Sequence, residues 1–435
     1  MTKSKILRYF LLIICVLLTG CVSAPQVKNK TLKPQNEVIT LTWWAFPIFA
    51  QDAPQDVNGT YEKKIIKAFE EANPNIHIEL TMLDFTTGPE KLNIALETGK
   101  ACDILLDAPG RIISYGKSGY LASLNDMVDT ALVKDVDNDA LLKACGDGKN
   151  TYMLPLSSAP FYMAFNKKML EQAGVASLVR AGWTTDEFTT VITALHQQGF
   201  VSGSIFCKDQ GGDQGTRAFF SNLFDAEIIQ PNLLSYSIAS DRGMQTATYI
   251  KKCVEQGVLK NGTFENGTAA ILKFVNGQAA FSLLWGPNQQ KSYENTLADH
   301  GIEVVEVPYP SQDGKFKLEY LVNGFCVMDN DNSAKLAASK KFIRFMCDDA
   351  VWGPRNVIHT GCIPVRNSFG TLYAEERMRK IMGWTAYYAP YYNTVQGFSS
   401  MRIAWTQLLK NILNGYLPPE DAVKLFAEQA NQTLK

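Results

Sequence analysis

Residues 61–82 read YEKKIIKAFEEANPNIHIELTM. Tyr61, Ile65, Ile66, Phe69 and Ala72 recur at the spacing of one helical face, and Asn73-Pro74 stops the run because proline has no amide hydrogen for the preceding turn. Directly afterwards Ile76, Ile78, Leu80 and Met82 alternate with His77, Glu79 and Thr81, the two-residue period of a strand buried on one side. The flanks extend the pattern: Val38 to Trp44 reads as a strand before the helix. Asp103 to Asp107 reads as a buried strand after it, ended by Ala108-Pro109-Gly110. Strand, helix, strand, helix, strand within about 70 residues predicts an α/β fold with largely parallel sheets.

Farther along, Gly148 to Leu156 reads as a hairpin arm leading into an extended run, Phe161 to Phe165, and a helix from Lys167 to Ala173; here the chain crosses to a second lobe. That lobe includes a helix from Trp183 to Gln198 capped by Thr185, a helix around Phe219 to Phe224, and the pair Ile271 to Asn276 and Ala279 to Trp285. Strands at Ile302 to Val307 and Asn323 to Met328 precede a helix from Ala334 to Met346. Two amphipathic helices, Ser400 to Leu413 and Glu420 to Leu434, close the chain.

With 435 residues, 46% apolar and 20% charged, the chain has the composition of a globular protein of two or three domains, not of a disordered one. Its net charge of −1 includes Lys3, Lys5 and Arg8 in the first twenty residues, so the remainder is more acidic still. Nucleic acid, which needs a basic field, is excluded as a partner. Residues 1–21 form a basic start and an apolar run too short for a spanning helix, the pattern of a signal peptide. Its end, Leu18-Thr19-Gly20-Cys21, resembles the bacterial lipobox. That resemblance implies cleavage before Cys21 and a diacylglycerol on its sulfur. Residues 22–37 are polar and aperiodic, a flexible tether.

No cofactor or metal is expected. Cys102, Cys145, Cys207, Cys253, Cys326, Cys347 and Cys362 contain no C-x-x-C pair and read mostly as small buried residues, with one or two bridges open to them. His77, His196, His300 and His359 have no metal-ligand spacing. Asp135, Asp137 and Asp139 start like a calcium loop but meet Ala140 where glycine is required. The run from Asp209 to Gly215 carries two acids that repel phosphate, so it reads as a flexible surface loop.

Further stretches recur in order: Leu41-Thr42-Trp43-Trp44, Asn73-Pro74-Asn75-Ile76, Asp103-Ile104 with Gly119-Tyr120-Leu121, and Gly148-Lys149 with Tyr152 and Leu154-Pro155. Then come Phe165-Asn166-Lys167-Lys168 through Ala173-Gly174-Val175, Trp183-Thr184-Thr185-Asp186-Glu187-Phe188 and Phe274-Val275-Asn276-Gly277-Gln278-Ala279-Ala280. Gly361-Cys362-Ile363-Pro364-Val365-Arg366 and Gly415 with Pro418-Pro419-Glu420-Asp421-Ala422 complete the series. From about residue 38 to the end this resembles the extracellular solute-binding proteins of ABC importers, the sugar-binding family of maltose-binding type. Phe281 and Phe165 depart from the residues usual in that family but keep size and apolarity.

The resemblance implies a periplasmic-binding-protein-like fold: two α/β lobes, a hinge and a ligand cleft between them. Lobe one is placed at 38–155 with 309–348, and lobe two at 156–308 with 349–435. The implied function is a monomeric, lipid-anchored extracytoplasmic protein that captures a carbohydrate or related solute and delivers it to an ABC permease, with no chemistry of its own. A surface glycoside hydrolase and a sensory lipoprotein remain as alternatives.

Sugars present C–H faces that pack on aromatic rings, and ligands in open α/β sheets sit beyond the carboxyl ends of strands. The candidate stacking residues are therefore Trp44 and Phe46 after the first strand, Trp285 at the cleft edge before Gly286-Pro287, and Trp384, Tyr387 and Tyr388. Candidate hydroxyl partners are Asp107 at the end of its strand, then Asp84, Asn288, Asn323 and Arg366.

Overall fold

In chain order the strands are β1 (Ile39–Ala45), β2 (Ile76–Met82), β3 (Ile104–Asp107), β4 (Leu154–Pro160), β5 (Tyr162–Asn166), β6 (Ser204–Phe206), β7 (Lys260–Gly262), β8 (Phe281–Trp285), β9 (Val304–Val307), β10 (Tyr320–Val327) and β11 (Ile363–Pro364). They come from a computed structural model that describes residues 38–435 apart from Pro54, Thr86, Asp137 and Lys435. The signal peptide, Cys21 and the tether expected above lie outside the described residues.

Six strands form one sheet in the order β11-β4-β10-β3-β1-β2; β8-β5-β9 form a second, and β6 and β7 pair separately. Strand β1 buries Leu41, Trp43 and Ala45 completely, as alternation requires, and pairs in parallel with β2 from Ile39 and Ile76 to Ala45 and Met82. The helix Thr60–Ala72 supplies the crossover between them. The parallel expectation holds for β1, β2 and β3 and for β6 with β7. It fails elsewhere: β10 runs antiparallel to β3 and β4, β11 to β4, and β5 to β8 and β9.

The reason lies in the crossing. Only Phe161 separates β4 from β5, so the chain passes straight from the first sheet into the second. The returning strand β10 enters where β4 leaves, Tyr320 opposite Pro160, and must run the other way. At the crossing itself the Phe161 amide donates to the Glu319 carbonyl at 2.8 Å.

Apolar side chains gather into two cores. The first centres on Trp43, Phe69 and Phe342, whose rings meet edge-on at 5.3 and 5.0 Å. The second centres on Phe165, Trp183, Phe188 and Phe281, with edge-on contacts at 5.6 Å around Trp183. Each such pair adds about 0.5–1.5 kcal/mol beyond its area burial. Tyr309, Phe316 and Leu318 pack in the second core, whereas Val357 and Val365 pack in the first. All seven cysteines from Cys102 onward are buried and unpaired.

Two local expectations change. The helix Thr185–Gln197 is capped by Thr184, not Thr185: Thr184 Oγ1 accepts from the Glu187 amide at 3.2 Å while Glu187 Oε2 accepts from the Thr184 amide at 2.8 Å. This reciprocal box requires the residue three before Glu187. The glycine-rich run is not a mobile loop at its end, because Gly212, at φ +81°, turns the chain into the helix Asp213–Leu223 and leaves Asp213 buried.

Candidate functional site

Because β1, β2 and β3 are parallel, their carboxyl ends emerge along one edge of the first sheet. Phe46 follows β1 and stacks on Phe85, which follows β2, with centroids 5.1 Å apart and planes 13° apart. Phe85 is 60% exposed, so one ring face meets solvent. Gly88 lets Phe46 sit there, since a Cβ at that position would lie 3.0 Å from the Phe46 ring. Asp84 accepts from the Thr87 amide and hydroxyl, both at 2.6 Å, and shapes the turn into the helix Gly88–Glu97.

Asp107 ends β3 and holds Arg111, one turn into the helix Pro109–Lys117, through Nε to Oδ2 and Nη2 to Oδ1, each 2.6 Å. The Arg111 guanidinium carbon lies 5.1 Å from the Phe46 centroid. Burial works against the Arg111 charge, but the Asp107 carboxylate outweighs it and raises the guanidinium pKa further. The group offered outward is therefore Arg111 rather than the Asp107 carboxylate expected from sequence.

Across from this rim, a Cβ on Gly110 would lie 3.4 Å from the Asn393 carbonyl and 3.8 Å from the Phe398 ring. Phe398 begins the helix Phe398–Leu413, and one turn later the Arg402 guanidinium lies 5.7 Å from its centroid. Arg402 donates through Nε and Nη2 to Asp213 at 2.8 and 2.9 Å. Asp213 also pairs at 2.5 Å with the fully buried Arg217, which donates to Glu319 at 3.2 and 2.8 Å and to the Tyr392 hydroxyl at 2.8 Å. Burial pushes the Asp213 carboxyl up, yet Arg217 and Arg402 hold it below the usual carboxylate range; for Glu319 burial wins and its pKa is raised.

Between the two walls run the crossing strands. Tyr388 and Tyr391 pack on Tyr320 at 4.0 and 4.9 Å, and Asn323 Nδ2 reaches Ser157 Oγ at 3.4 Å. Gly286 approaches the Pro160 carbonyl so closely that a Cβ would lie 3.2 Å from it, with Gln289 Oε1 and Asn288 Oδ1 at 2.9 and 3.0 Å. The side-chain oxygens of Asn288, Gln289 and Gln290 are buried and lack a hydrogen-bond donor.

The structure thus brings Phe46, Asp84 and Asp107 to one rim, and Asn288 and Asn323 to the crossing. It places the other candidates elsewhere. Trp44 lies on the sheet face under Lys91 of the helix Gly88–Glu97, because alternation along β1 points it sideways. Trp285 is 0% exposed, edge-on to Phe274 at 5.3 Å, enclosed in the second core rather than at the cleft edge. Arg366 is buried and tied to Asp348 at 3.1 and 2.9 Å in the first core. Trp384 packs edge-on against Tyr162, and the half-exposed Tyr387 lies 4.5 Å from Phe316.

Arg111, Phe85, Asp213, Phe398 and Arg402 also lie at these two walls and were not among the candidates expected from sequence. Arg111 had a signal, four residues after Asp107 across a strand-to-helix turn. Arg402 and Asp213 are separated by 189 residues and had none. Among the described residues no cluster of His, Cys, Asp or Glu suits a metal ion, and no helix is long and apolar enough to cross a membrane.

Two sheets joined by crossing strands, each with its own core, define the two-lobe periplasmic-binding-protein fold. The chain belongs to the bacterial extracellular solute-binding proteins, whose family model matches residues 64–371. Its fold is similar to an ABC transporter solute-binding protein from Thermotoga lettingae bound with α-D-tagatose, at 18% identity and a TM-score of 0.76, covering 91% of this chain and 100% of that one. It is also similar to the GacH receptor of Streptomyces glaucescens, solved with acarbose (17%, TM-score 0.75, 91% and 98% covered). A third is an ABC substrate-binding protein from Listeria monocytogenes in complex with cycloalternan (19%, TM-score 0.74, 92% and 99% covered). By sequence, a binding protein of Brucella abortus matches over 117 residues at 26% identity, 27% of this chain and 28% of the length of that relative.

Proposed function

We propose that the protein is a monomeric substrate-binding subunit, anchored through a lipid on Cys21 outside the cytoplasm, that captures a carbohydrate between its lobes and delivers it to an ABC permease. The supporting observation is the make-up of the seam. The exposed ring of Phe85, the partly exposed ring of Phe398 and the guanidinium donors at Arg111 and Arg402 suit the C–H faces and hydroxyls of a sugar. The solved neighbours with tagatose, acarbose and cycloalternan hold ligands of that class. The lobes are taken as the two cores, hinged where Phe161 and Glu319 pair and where Tyr388 touches both.

The reading includes no catalysis. A glycosidase needs one carboxyl free to act as an acid and one as nucleophile or base. Asp107 and Asp213, which end or begin the elements nearest the seam, are each gripped by a guanidinium. The test is a thermal-shift screen over neutral mono- and oligosaccharides, because a ligand at about 100 times its Kd stabilises the fold by about 2.7 kcal/mol. Stabilisation by peptides alone overturns the proposal, and so does release of shorter sugars on incubation.

A further inference from the structure

The same three side chains recur on both walls of the seam. On one, Arg111 lies over Phe46 and is gripped through Nε and Nη2 by Asp107. On the other, Arg402 lies over Phe398 and is gripped through the same two nitrogens by Asp213. The two walls approach at Gly110, the neighbour of Arg111, where a Cβ would lie 3.8 Å from the Phe398 ring. In both the order from solvent inward is the same. The guanidinium side chains are 37% and 26% exposed, and the carboxylates behind them 4% and 3%.

We propose that these paired trios select the ligand by charge, admitting uncharged polyhydroxy compounds and excluding uronic-acid, sulfated and phosphorylated ones. The proposal rests on the carbohydrate reading above and narrows it. An unpartnered arginine is the side chain best suited to bind a carboxylate or phosphate bidentately. Here the Nε–Nη2 edge of each guanidinium is already taken, and carboxylates offset the charge from behind: Asp107 for Arg111, and Asp213 together with Glu319 for Arg402 and the buried Arg217. What remains outward is the Nη1 edge of each guanidinium, its charge offset from behind. A neutral hydroxyl uses that edge at little desolvation cost. An anion entering the seam sheds its water and finds no uncompensated cation in return, while two buried carboxylates repel it. Specificity of this kind comes from the repulsive element as much as from the attractive one.

The test compares full-length protein with Asp107→Asn, Asp213→Asn and Arg111→Gln. Binding is measured by calorimetry against neutral trisaccharides (maltotriose, cellotriose, chitotriose) and acidic counterparts (trigalacturonate and a sulfated trisaccharide). The native protein should bind at least one neutral member and prefer it over the acidic ones by about a hundredfold, the range of one or two charged hydrogen bonds. Asp107→Asn, which frees the Arg111 fork, should move that ratio toward the acids by about tenfold or more, with Asp213→Asn moving it the same way. Arg111→Gln, which bares Asp107, should move it in the opposite direction. A native preference for the acidic panel overturns the inference while leaving the carbohydrate reading standing. An unchanged ratio in every variant that retains a cooperative melt does the same. Binding to neither panel overturns the carbohydrate reading and this inference with it.

Discussion

The ring of Tyr388 lies flat on Tyr320, with centroids 4.0 Å apart and planes 4° apart, and its hydroxyl stands 3.2 Å from Ser158 Oγ. Tyr320 opens the returning strand β10 and Ser158 lies in β4, so one side chain clamps both crossing strands. Among the described residues Tyr388 is also the one that packs against both cores. Tyr388→Ala should therefore lower stability by about 3–5 kcal/mol, as for other large aromatic truncations. Tyr388→Phe, which keeps the stack and loses one hydroxyl bond, should cost about 0.5–1.5 kcal/mol. Urea titrations of both variants check the order, and equal losses would show that the stack contributes nothing.

Phe85 is the exposed half of the Phe46 stack. Phe85→Ala should weaken carbohydrate binding by about three- to tenfold, the worth of one aromatic face of about 0.5–1.5 kcal/mol, with little change in melting temperature. Calorimetric Kd values beside thermal melts decide it; a lowered melting temperature with an unaltered Kd would make the ring merely structural.

Trp285 should behave in the reverse manner. Enclosed between Phe274 and Tyr293, it leaves a large cavity when truncated, so Trp285→Ala should lose about 3–5 kcal/mol of stability. The Kd of the molecules that remain folded should stay close to native. A much weaker Kd in the folded fraction would return this indole to the binding surface.

His359 supplies a pH dependence. Its ring stacks on Tyr61 at 3.6 Å, with Nδ1 2.6 Å from the Ala50 carbonyl and Nε2 3.4 Å from Asp52. Burial lowers its pKa below the ordinary 6.5, outweighing the Ala50 carbonyl and Asp52, which favour the proton. The unfolded chain then takes up a proton at about pH 6.5 that the fold resists, so this contribution to stability is full above that pH and lost as pH falls below it. His359→Gln should flatten the difference between denaturation midpoints measured near pH 7.5 and near pH 5.5. A slope identical to native would show that another group carries it.

The lipid proposal predicts that Cys21→Ala leaves the chain unprocessed or free of the membrane fraction. Finding that variant mature and fully membrane-bound would remove the anchor from the proposed function.

Elements were legible in the sequence because the signals that make them are local. Tyr61 to Ala72 reads as a helix and Ile76 to Met82 as a strand, since apolar spacing and the Asn73-Pro74 stop act within a few residues. The carboxyl ends of β1 and β3, and with them Phe46 and Asp107, followed from the same reading. Burial did not follow. Trp285 ends an apolar run as Phe46 ends another, and only the packing of Phe274 from the helix Gly267–Val275 encloses its ring.

Legible in spacings of a few residues were the first strands and helices from Val38 to Asp107, the two closing helices, the order of the family motifs, and the rim where the parallel strands end; β6, β7 and the helix Asp241–Glu255 were not. Tertiary structure alone decided the direction of β10, set by the edge at which β4 departs, and the second wall, where Arg402 meets Asp213 across 189 residues. A contact between residues so far apart leaves no periodicity behind it, because the chain between them is free to take any course until two complete cores are packed.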